Sequence, residues 1–452
     1  MSGPIVVVGG GISGLTVAEA LLSRGRDVKV LEAAERAGGP VHSFEEDGFL
    51  LETGPQAFLD REGSVRDLAH RLGLEMSLRP ASPAAARRYV YTRGALRELP
   101  RSPPAFLASS VLPATARLRA LLEPLSRRAP AGTDEALGPF MRRHLGDETT
   151  AVLVDAMQTG TWAGDVEKLS VRAAFPRLWE LEQKHRSLAL GLWRNRKVPA
   201  LQPGPGGTPS GRLASFEGGL QSLIGTLAMR LGSRLHTRAS VVEITRTGEG
   251  YRVELDSGGA IDAAHLVLAT SAPASARLLR PLSPDVADAL EAIPYAPVGV
   301  VHLGFAAKDA PALDGFGFLV PNREGRGIMG TIYTSSSFPF RAPPETALLT
   351  TMVGGAHRPE LVALSEDALI AHVQRELGKI LDVRTEPLIA RAFRWTQGIP
   401  QYEVGHTSRV SRIFAGIAEL GPLSLVGNAY RGVGLSDCVR EATRLAAELA
   451  EA

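Results

Sequence analysis

Apolar residues fall along this chain in runs of different period, and each period predicts an element. Ile5–Val8 is a β-branched run too short for a helix and reads as a buried strand. Gly9-Gly10-Gly11 makes a sharp turn, Ser13 to about Leu22 has helical spacing, and Val28–Leu31 is the next strand. Strand, helix and strand in this order predict a βαβ unit. Gly63–Leu72 reads as a helix. Residues 102–197 read as mostly helical, with apolar positions at threes and fours: Leu118, Leu121, Leu122, Leu125, then Val152, Leu153 and Ala156. Leu201–Arg212 is dense in proline and glycine and predicts a loop or linker. Strand character returns over 240–270, with Val241-Val242, Tyr251–Leu255 and His265–Ala269 separated by turns at Gly248–Gly250 and Ser257–Gly259. Residues 298–353 also read mostly as strands, and the chain from Val410 to the end as strand and then helix. No repeat of fixed period is evident.

The glycines at 9, 11 and 14 give this pattern chemical content. In Gly9-Gly10-Gly11-Ile12-Ser13-Gly14, Gly9 permits the tight turn, Gly11 lets the backbone approach a pyrophosphate, and Gly14 lets the helix pack on the strand. The amides of Ile12 and Ser13 open the helix, where free N–H groups and the dipole favour phosphate. Glu32, at the end of the second strand, is placed to accept hydrogen bonds from an adenosine ribose. Arg36 followed by Gly38-Gly39 resembles the extended fingerprint of FAD-dependent oxidases, with the arginine on the pyrophosphate and the glycines allowing close approach. Near the C-terminus, Gly427-Asn428 ends a strand and Gly432-Val433-Gly434-Leu435 opens a helix whose N-terminus would face a flavin ring. No second glycine fingerprint follows a strand. A separate nicotinamide site is therefore not expected, and oxygen or a quinone is left as electron acceptor.

Length and composition set outer bounds. At 452 residues the chain should form two or three domains, and 44% hydrophobic with 22% charged residues is an ordinary globular composition. The predicted fold class is α/β and α+β multidomain. A Rossmann-type FAD-binding domain is built from 1–78, 212–275 and 405–452. A β-rich substrate domain from 79–100 and 276–404 is interleaved with it, a helical insert covers 101–200, and a linker 201–211. The single cysteine, Cys438, excludes an intrachain disulfide and fits a reducing compartment. No basic leader precedes the glycine-rich turn. The uncharged stretch Ser102–Ala116 contains prolines and is shorter than the ~20 residues a spanning helix needs. The ten histidines show no metal-ligand spacing, so no metal is expected.

Several segments are more specific. Tyr89–Leu99, Thr161-Trp162-Ala163-Gly164-Asp165 with Glu167-Lys168-Leu169-Ser170, His185-Arg186-Ser187, Gly315–Pro321, Ile399-Pro400-Gln401-Tyr402 and Gly427–Cys438 together resemble the protoporphyrinogen oxidases. These are oxygen-dependent, FAD-containing enzymes of haem biosynthesis in the monoamine oxidase-like superfamily. The resemblance covers nearly the whole chain. It implies non-covalent FAD and a six-electron oxidation of protoporphyrinogen IX, in which three oxygen molecules become hydrogen peroxide. The cofactor carries that chemistry, and the protein holds the substrate beside it. Carried over position by position, the resemblance places Arg88 on a substrate propionate. It places Phe316, Gly317 and Leu319 in the pocket, Met352 on an apolar wall, and the Val242 backbone on the adenine. It also implies that Gly317 leaves room for substrate.

Charge is unevenly spread. The net charge is only +2, yet from Arg79 to Arg128 there are ten arginines against Glu98 and Glu123. Between them lie Phe106, Leu107, Val111 and Leu112, and apolar residues flanked by arginines suit contact with an anionic membrane surface. The expected location is cytoplasmic, peripheral on the cytoplasmic face of the membrane, with a homodimer allowed and no nucleic-acid partner. Two other readings stay open: oxidation of coproporphyrinogen III, whose four carboxylates ask for more basic groups, and a non-catalytic flavin-binding porphyrin carrier.

Overall fold

The computed structural model describes residues 3–60, 62–130, 132–185, 187–194 and 213–451. The expected linker 201–211 and Arg186 lie outside the described residues. Five strands form a parallel sheet in the order Leu235–His236, Val28–Leu31 (β2), Ile5–Val8 (β1), His265–Leu268, Leu423–Leu425. β1 is central, with β2 on one side and His265–Leu268 on the other. Connections that leave in opposite directions open a crevice at the C-terminal end of β1, where helix α1 (Ile12–Leu22) begins. Ile5 and Val7 pack with α1 and the helix Leu435–Glu451, while Val6 and Val8 pack with Ala272–Leu279, Pro284–Glu291 and His406–Glu419. Burial on both faces is why β1 is an unbroken β-branched run.

The segment from Val410 departs from expectation, because a helix, His406–Glu419, precedes the strand Leu423–Leu425. Val410, Ile413 and Ile417 keep helical spacing and face the core of the parallel sheet, so period outweighs β-branching.

A seven-stranded sheet runs in the order Ile389–Pro400, Tyr295–Ala306, Thr346–Gly354, Gly330–Tyr333, Gly317–Leu319, Tyr89–Thr92, Ala95–Glu98. Its faces alternate. Val301, Leu303, Phe305, Leu349 and Val353 pack on Leu369, Val373 and Leu377 of the helix Glu366–Leu381. That helix starts at Ser365, whose hydroxyl accepts from the Ala368 amide, and ends at Asp382 in the left-handed conformation. The opposite face meets the hairpin Ser43–Glu46 and Phe49–Glu52 of the first domain, with Leu348 against Phe49 and Leu51.

The insert contains helices at Pro103–Ala108, Ala114–Leu121, Leu137–Leu145, Asp155–Trp162, Pro176–His185 and Leu188–Arg194. It is fastened by a buried charged cluster. His144 lies between Glu123, 2.8 Å from Nδ1, and Glu182, 3.2 Å from Nε2. Burial works to raise the Glu123 carboxyl, but hydrogen bonds from His144, Ser187 and the Leu188 and Ala189 amides outweigh it and bring it down to about 2. Among the described residues no helix is long and apolar enough to cross a membrane.

Candidate functional site

The glycine turn after β1 divides by purpose. Gly9 has φ +107°, and a Cβ there would sit 2.8 Å from the Ala269 carbonyl oxygen. Gly14 lies so close to the Gly9 carbonyl that any side chain would overlap it. Both are packing glycines. A Cβ on Gly11 or Gly39, by contrast, would meet nothing within 4 Å. Gly38 donates to the Gly10 carbonyl at 2.8 Å and so brings the second glycine pair beside the first. The N-terminus of α1 has no side-chain cap, which leaves amides of its first turn free of such a partner. Open space over two glycines at an uncapped helix end fits a dinucleotide pyrophosphate.

Glu32 holds the turn as well as facing the crevice. One carboxylate oxygen accepts from the Gly10 amide at 2.7 Å, the other from Ala34 at 2.8 Å. Carboxylate oxygens take more than one donor each, so acceptor capacity remains for ribose hydroxyls. Arg36 is half-buried; burial lowers its pKa and Glu32 works against that shift. Its hydrogen bond to the Ala37 carbonyl is long, 3.5 Å. Val242 sits on a bulge, where pairing passes from Val241–Leu255 to Glu243–Glu254, and its side chain is exposed. The nearby Ala239 amide donates to the Glu32 carbonyl at 2.9 Å, tying this strand to the end of β2.

Ser13 needs a narrower role than its place in the fingerprint implies. Its side chain is buried against the Cys438 thiol, which leaves only its backbone for a cofactor. Burial pushes that thiol up to about 11, so Cys438 is a neutral core residue.

At the C-terminal segment, Gly427 has φ +147° and Gly434 donates to Asp437 at 3.2 Å. Leu435 is buried in the core beneath α1. Val433 packs on Trp162, Leu169 and Tyr402. Asn428 offers its carbonyl to the Tyr402 hydroxyl at 2.6 Å.

The substrate residues converge through strand register. Leu319 pairs with Gly330, Gly330 with Met352, Met352 with Val300, and Val300 with Phe393. The neighbouring row is Gly317, Ile332, Thr350 and His302. Directly paired residues share a face, so Gly317, Leu319 and Met352 lie together on the face turned away from helix Glu366–Leu381. Phe318 points the other way, into the core with Tyr333. Arg88 is exposed at the edge, with its guanidinium carbon 5.3 Å from the Phe316 ring centroid. Its neighbour Arg87 is instead paired with Asp314.

Gly317 is glycine for a different reason from the one expected. At φ +133° a Cβ would overlap the Thr331 carbonyl of the adjacent strand, so the sheet itself demands glycine there. Val300, Gly330, Ile332 and Phe393 share this face but carried no sequence signal, because register across strands is not written along the chain. His302 on the same face is buried; it reaches the Glu52 carbonyl at 2.8 Å and Thr350 at 3.0 Å, and burial pushes it down to about 4. It is a neutral cross-link between domains.

A profile of the family described as "Flavin containing amine oxidoreductase" matches residues 12–450. The chain is 34% identical to a chloroplastic protoporphyrinogen oxidase of Nicotiana tabacum, over 98% of this chain and 85% of that protein. It is 29% identical to a coproporphyrinogen III oxidase of Bacillus subtilis (strain 168), over 96% and 95%. A crystal structure from Exiguobacterium sp. 255-15, provisionally assigned as a protoporphyrinogen oxidase, superposes with a TM-score of 0.87. It is 28% identical and covers 100% of this chain and 99% of that one. Reduced UDP-galactopyranose mutase, 14% identical with a TM-score of 0.76 over 99% of this chain and 95% of that one, shares the fold alone.

Proposed function

The chain belongs to the flavin-containing amine oxidoreductase family, with FAD as its cofactor, and from that membership we propose that it oxidises protoporphyrinogen IX to protoporphyrin IX. Oxygen is the acceptor in this reading, and three molecules of it take six electrons and six protons to give three of hydrogen peroxide. The observation that carries the proposal is the sheet face of Leu319, Gly330, Met352, Val300 and Phe393, with Arg88 at its edge. An apolar tetrapyrrole macrocycle with acidic side chains asks for such a surface and such a cation.

Bound FAD supplies the two-electron chemistry. The chain's own residues bind and orient. Gly11 and Gly39 admit the pyrophosphate, Glu32 takes the ribose, and Arg36 adds positive charge. Arg88 grips a propionate through two parallel N–H donors, and its stacking on Phe316 aims the guanidinium. The apolar row excludes water from the reacting edge. His302, held neutral, contributes no charge to that face.

Coproporphyrinogen III is the second reading, favoured by relatives of that name, including one of Propionibacterium freudenreichii at 32% identity over 99% of this chain. Against it, Arg88 has no carboxylate partner among the described residues, whereas Arg87 is already paired, so free positive charge at this edge is sparse. Porphyrin fluorescence measured with each porphyrinogen in turn decides. Faster turnover of protoporphyrinogen is expected, and a preference for coproporphyrinogen would reverse the assignment. Flavin-loaded protein inert towards both would leave the carrier reading.

We also propose a peripheral membrane contact, at a place shifted from the one the sequence suggested. Val111 and Leu112 are buried, whereas Leu107, Leu118, Leu121, Leu122 and Leu125 are exposed. The guanidinium groups of Arg93, Arg117 and Arg119 beside them hydrogen-bond to backbone carbonyls. A leucine stripe among arginines suits an anionic lipid surface.

A further inference from the structure

Two of the segments that set this sequence apart, 161–165 and 399–402, carry none of the residues assigned to cofactor or substrate, yet they interlock, and Ala163 and Ile399 pack with Val300 of the substrate face. The Gln401 side-chain Nε2 donates to the Trp162 carbonyl at 2.8 Å. Gly164 is wedged so near the Gln401 side-chain oxygen that a Cβ would overlap it. The Ser170 amide donates to the Tyr402 carbonyl at 2.8 Å. Tyr402 itself is buried, with Trp162 on one side, ring centroids 4.8 Å apart, and His406 stacked at 3.9 Å on the other.

What this junction delivers is one hydroxyl. Tyr402 Oη donates to the Asn428 carbonyl at 2.6 Å and accepts from the Gly432 amide at 2.8 Å. It thus closes the two ends of the turn between the strand Leu423–Leu425 and the helix Leu435–Glu451. Asn428, Val433 and Gly434 of this turn are the residues assigned to the flavin, and Val433 packs on the Trp162–Tyr402 cluster. A phenol suits the post, because it gives one hydrogen bond and takes another. Burial raises its pKa and keeps the proton in place.

We infer that Tyr402 is a positioning residue for the flavin: its hydroxyl sets the Asn428–Gly434 turn, and so the amino end of the last helix, against the cofactor. The inference rests on the flavin site proposed above. A helix amino end near the ring stabilises the negative charge of the reduced cofactor. Loosening the turn therefore weakens FAD binding and moves the flavin midpoint potential to more negative values.

The test uses purified holoenzyme and the Tyr402→Phe variant, which keeps the ring contacts with Trp162 and His406 and loses only the hydroxyl. FAD binding should weaken on the order of tenfold, from two part-buried groups left without a partner, and the midpoint potential should fall. Trp162→Phe is the comparison, because it disturbs the packing and leaves the hydroxyl; it should lower the melting temperature with the potential unmoved. Wild-type FAD affinity and potential in Tyr402→Phe would overturn the inference. So would an equal shift in potential in Trp162→Phe, which would assign the effect to packing. A wild-type protein that takes up no FAD would instead bring down the flavin reading itself.

Discussion

At the scale of single residues, position in space assigns roles that residue type leaves open. Arg87 and Arg88 are adjacent and chemically alike, yet one is paired with Asp314 and the other lies over Phe316 at the edge of an apolar face. This asymmetry makes a prediction. Arg88→Ala should lower kcat/KM for the porphyrinogen roughly 10–150-fold at unchanged FAD content, the worth of a hydrogen-bonded charge partner. Arg88→Lys should recover part of the loss, since it keeps the charge but not the two-pronged geometry. Steady-state kinetics at fixed FAD occupancy reads both, and an Arg88→Ala enzyme indistinguishable from wild type would move the propionate anchor elsewhere. Gly317 carries the opposite lesson. Its place in a pocket segment suggested space for substrate, whereas the neighbouring strand's carbonyl is what excludes a side chain.

At the scale of elements, the helix Ala114–Leu121 and the turn Glu123–Leu125 show how an amphipathic period can be correct while its partner is not a core. The spacing of Leu118, Leu121, Leu122 and Leu125 is helical, yet all four are exposed, Leu125 to 81%. Only Ala116 of that helix is buried. The expected outcome is sedimentation of the protein with anionic liposomes, reduced in high salt because the arginines are screened. Leu118→Gln, Leu121→Gln and Leu125→Gln combined should abolish that sedimentation with folding intact, because the three side chains contribute little to the packed interior. Equal sedimentation of wild type and triple variant would show that these leucines do not touch lipid.

At the scale of the whole molecule, the hairpin of the first domain and the connection between the strands Gly330–Tyr333 and Thr346–Gly354 meet through a buried ion pair. Arg341 and Glu52 are both buried, 2.8 Å apart. Glu52 also accepts from Ser43 and the Leu220 amide, and Arg341 donates to Ser215 at 2.7 Å. Burial raises the Glu52 carboxyl to about 6 against the pull of Arg341 and these hydrogen bonds. Arg341→Leu leaves the carboxylate alone in the interior, a loss of about 3–5 kcal/mol once it is ionised. The sign with pH follows. A carboxyl whose folded pKa is raised is tolerated below its unfolded value and costs stability as pH rises through the folded one. The variant should therefore be far less destabilised at pH 5 than at pH 8 in urea unfolding. An equal loss at both would mean that Glu52 is not the group left stranded.

Local features were legible in the sequence because their physics is local. The turn at Gly9–Gly14, the helix after it, Glu32 at the end of β2 and the second glycine pair at 38–39 all depend on residues within a few positions of one another, or on one βαβ unit with a single handedness. Periodicity likewise marked most helices, and its one clear reversal, at Val410, came where β-branched residues kept a helical period. What only the tertiary structure decided is long-range: which strands stand side by side, and in what register. Leu319, Met352, Val300 and Phe393 are strangers in the sequence and neighbours on the sheet, because a one-residue slip would have turned each to the other face. The same holds for Glu52 with Arg341, and for Tyr402 with the turn it closes. A chain specifies its local geometry through short-range sterics and hydrogen bonding, but contacts between distant residues exist only once the core has closed around them.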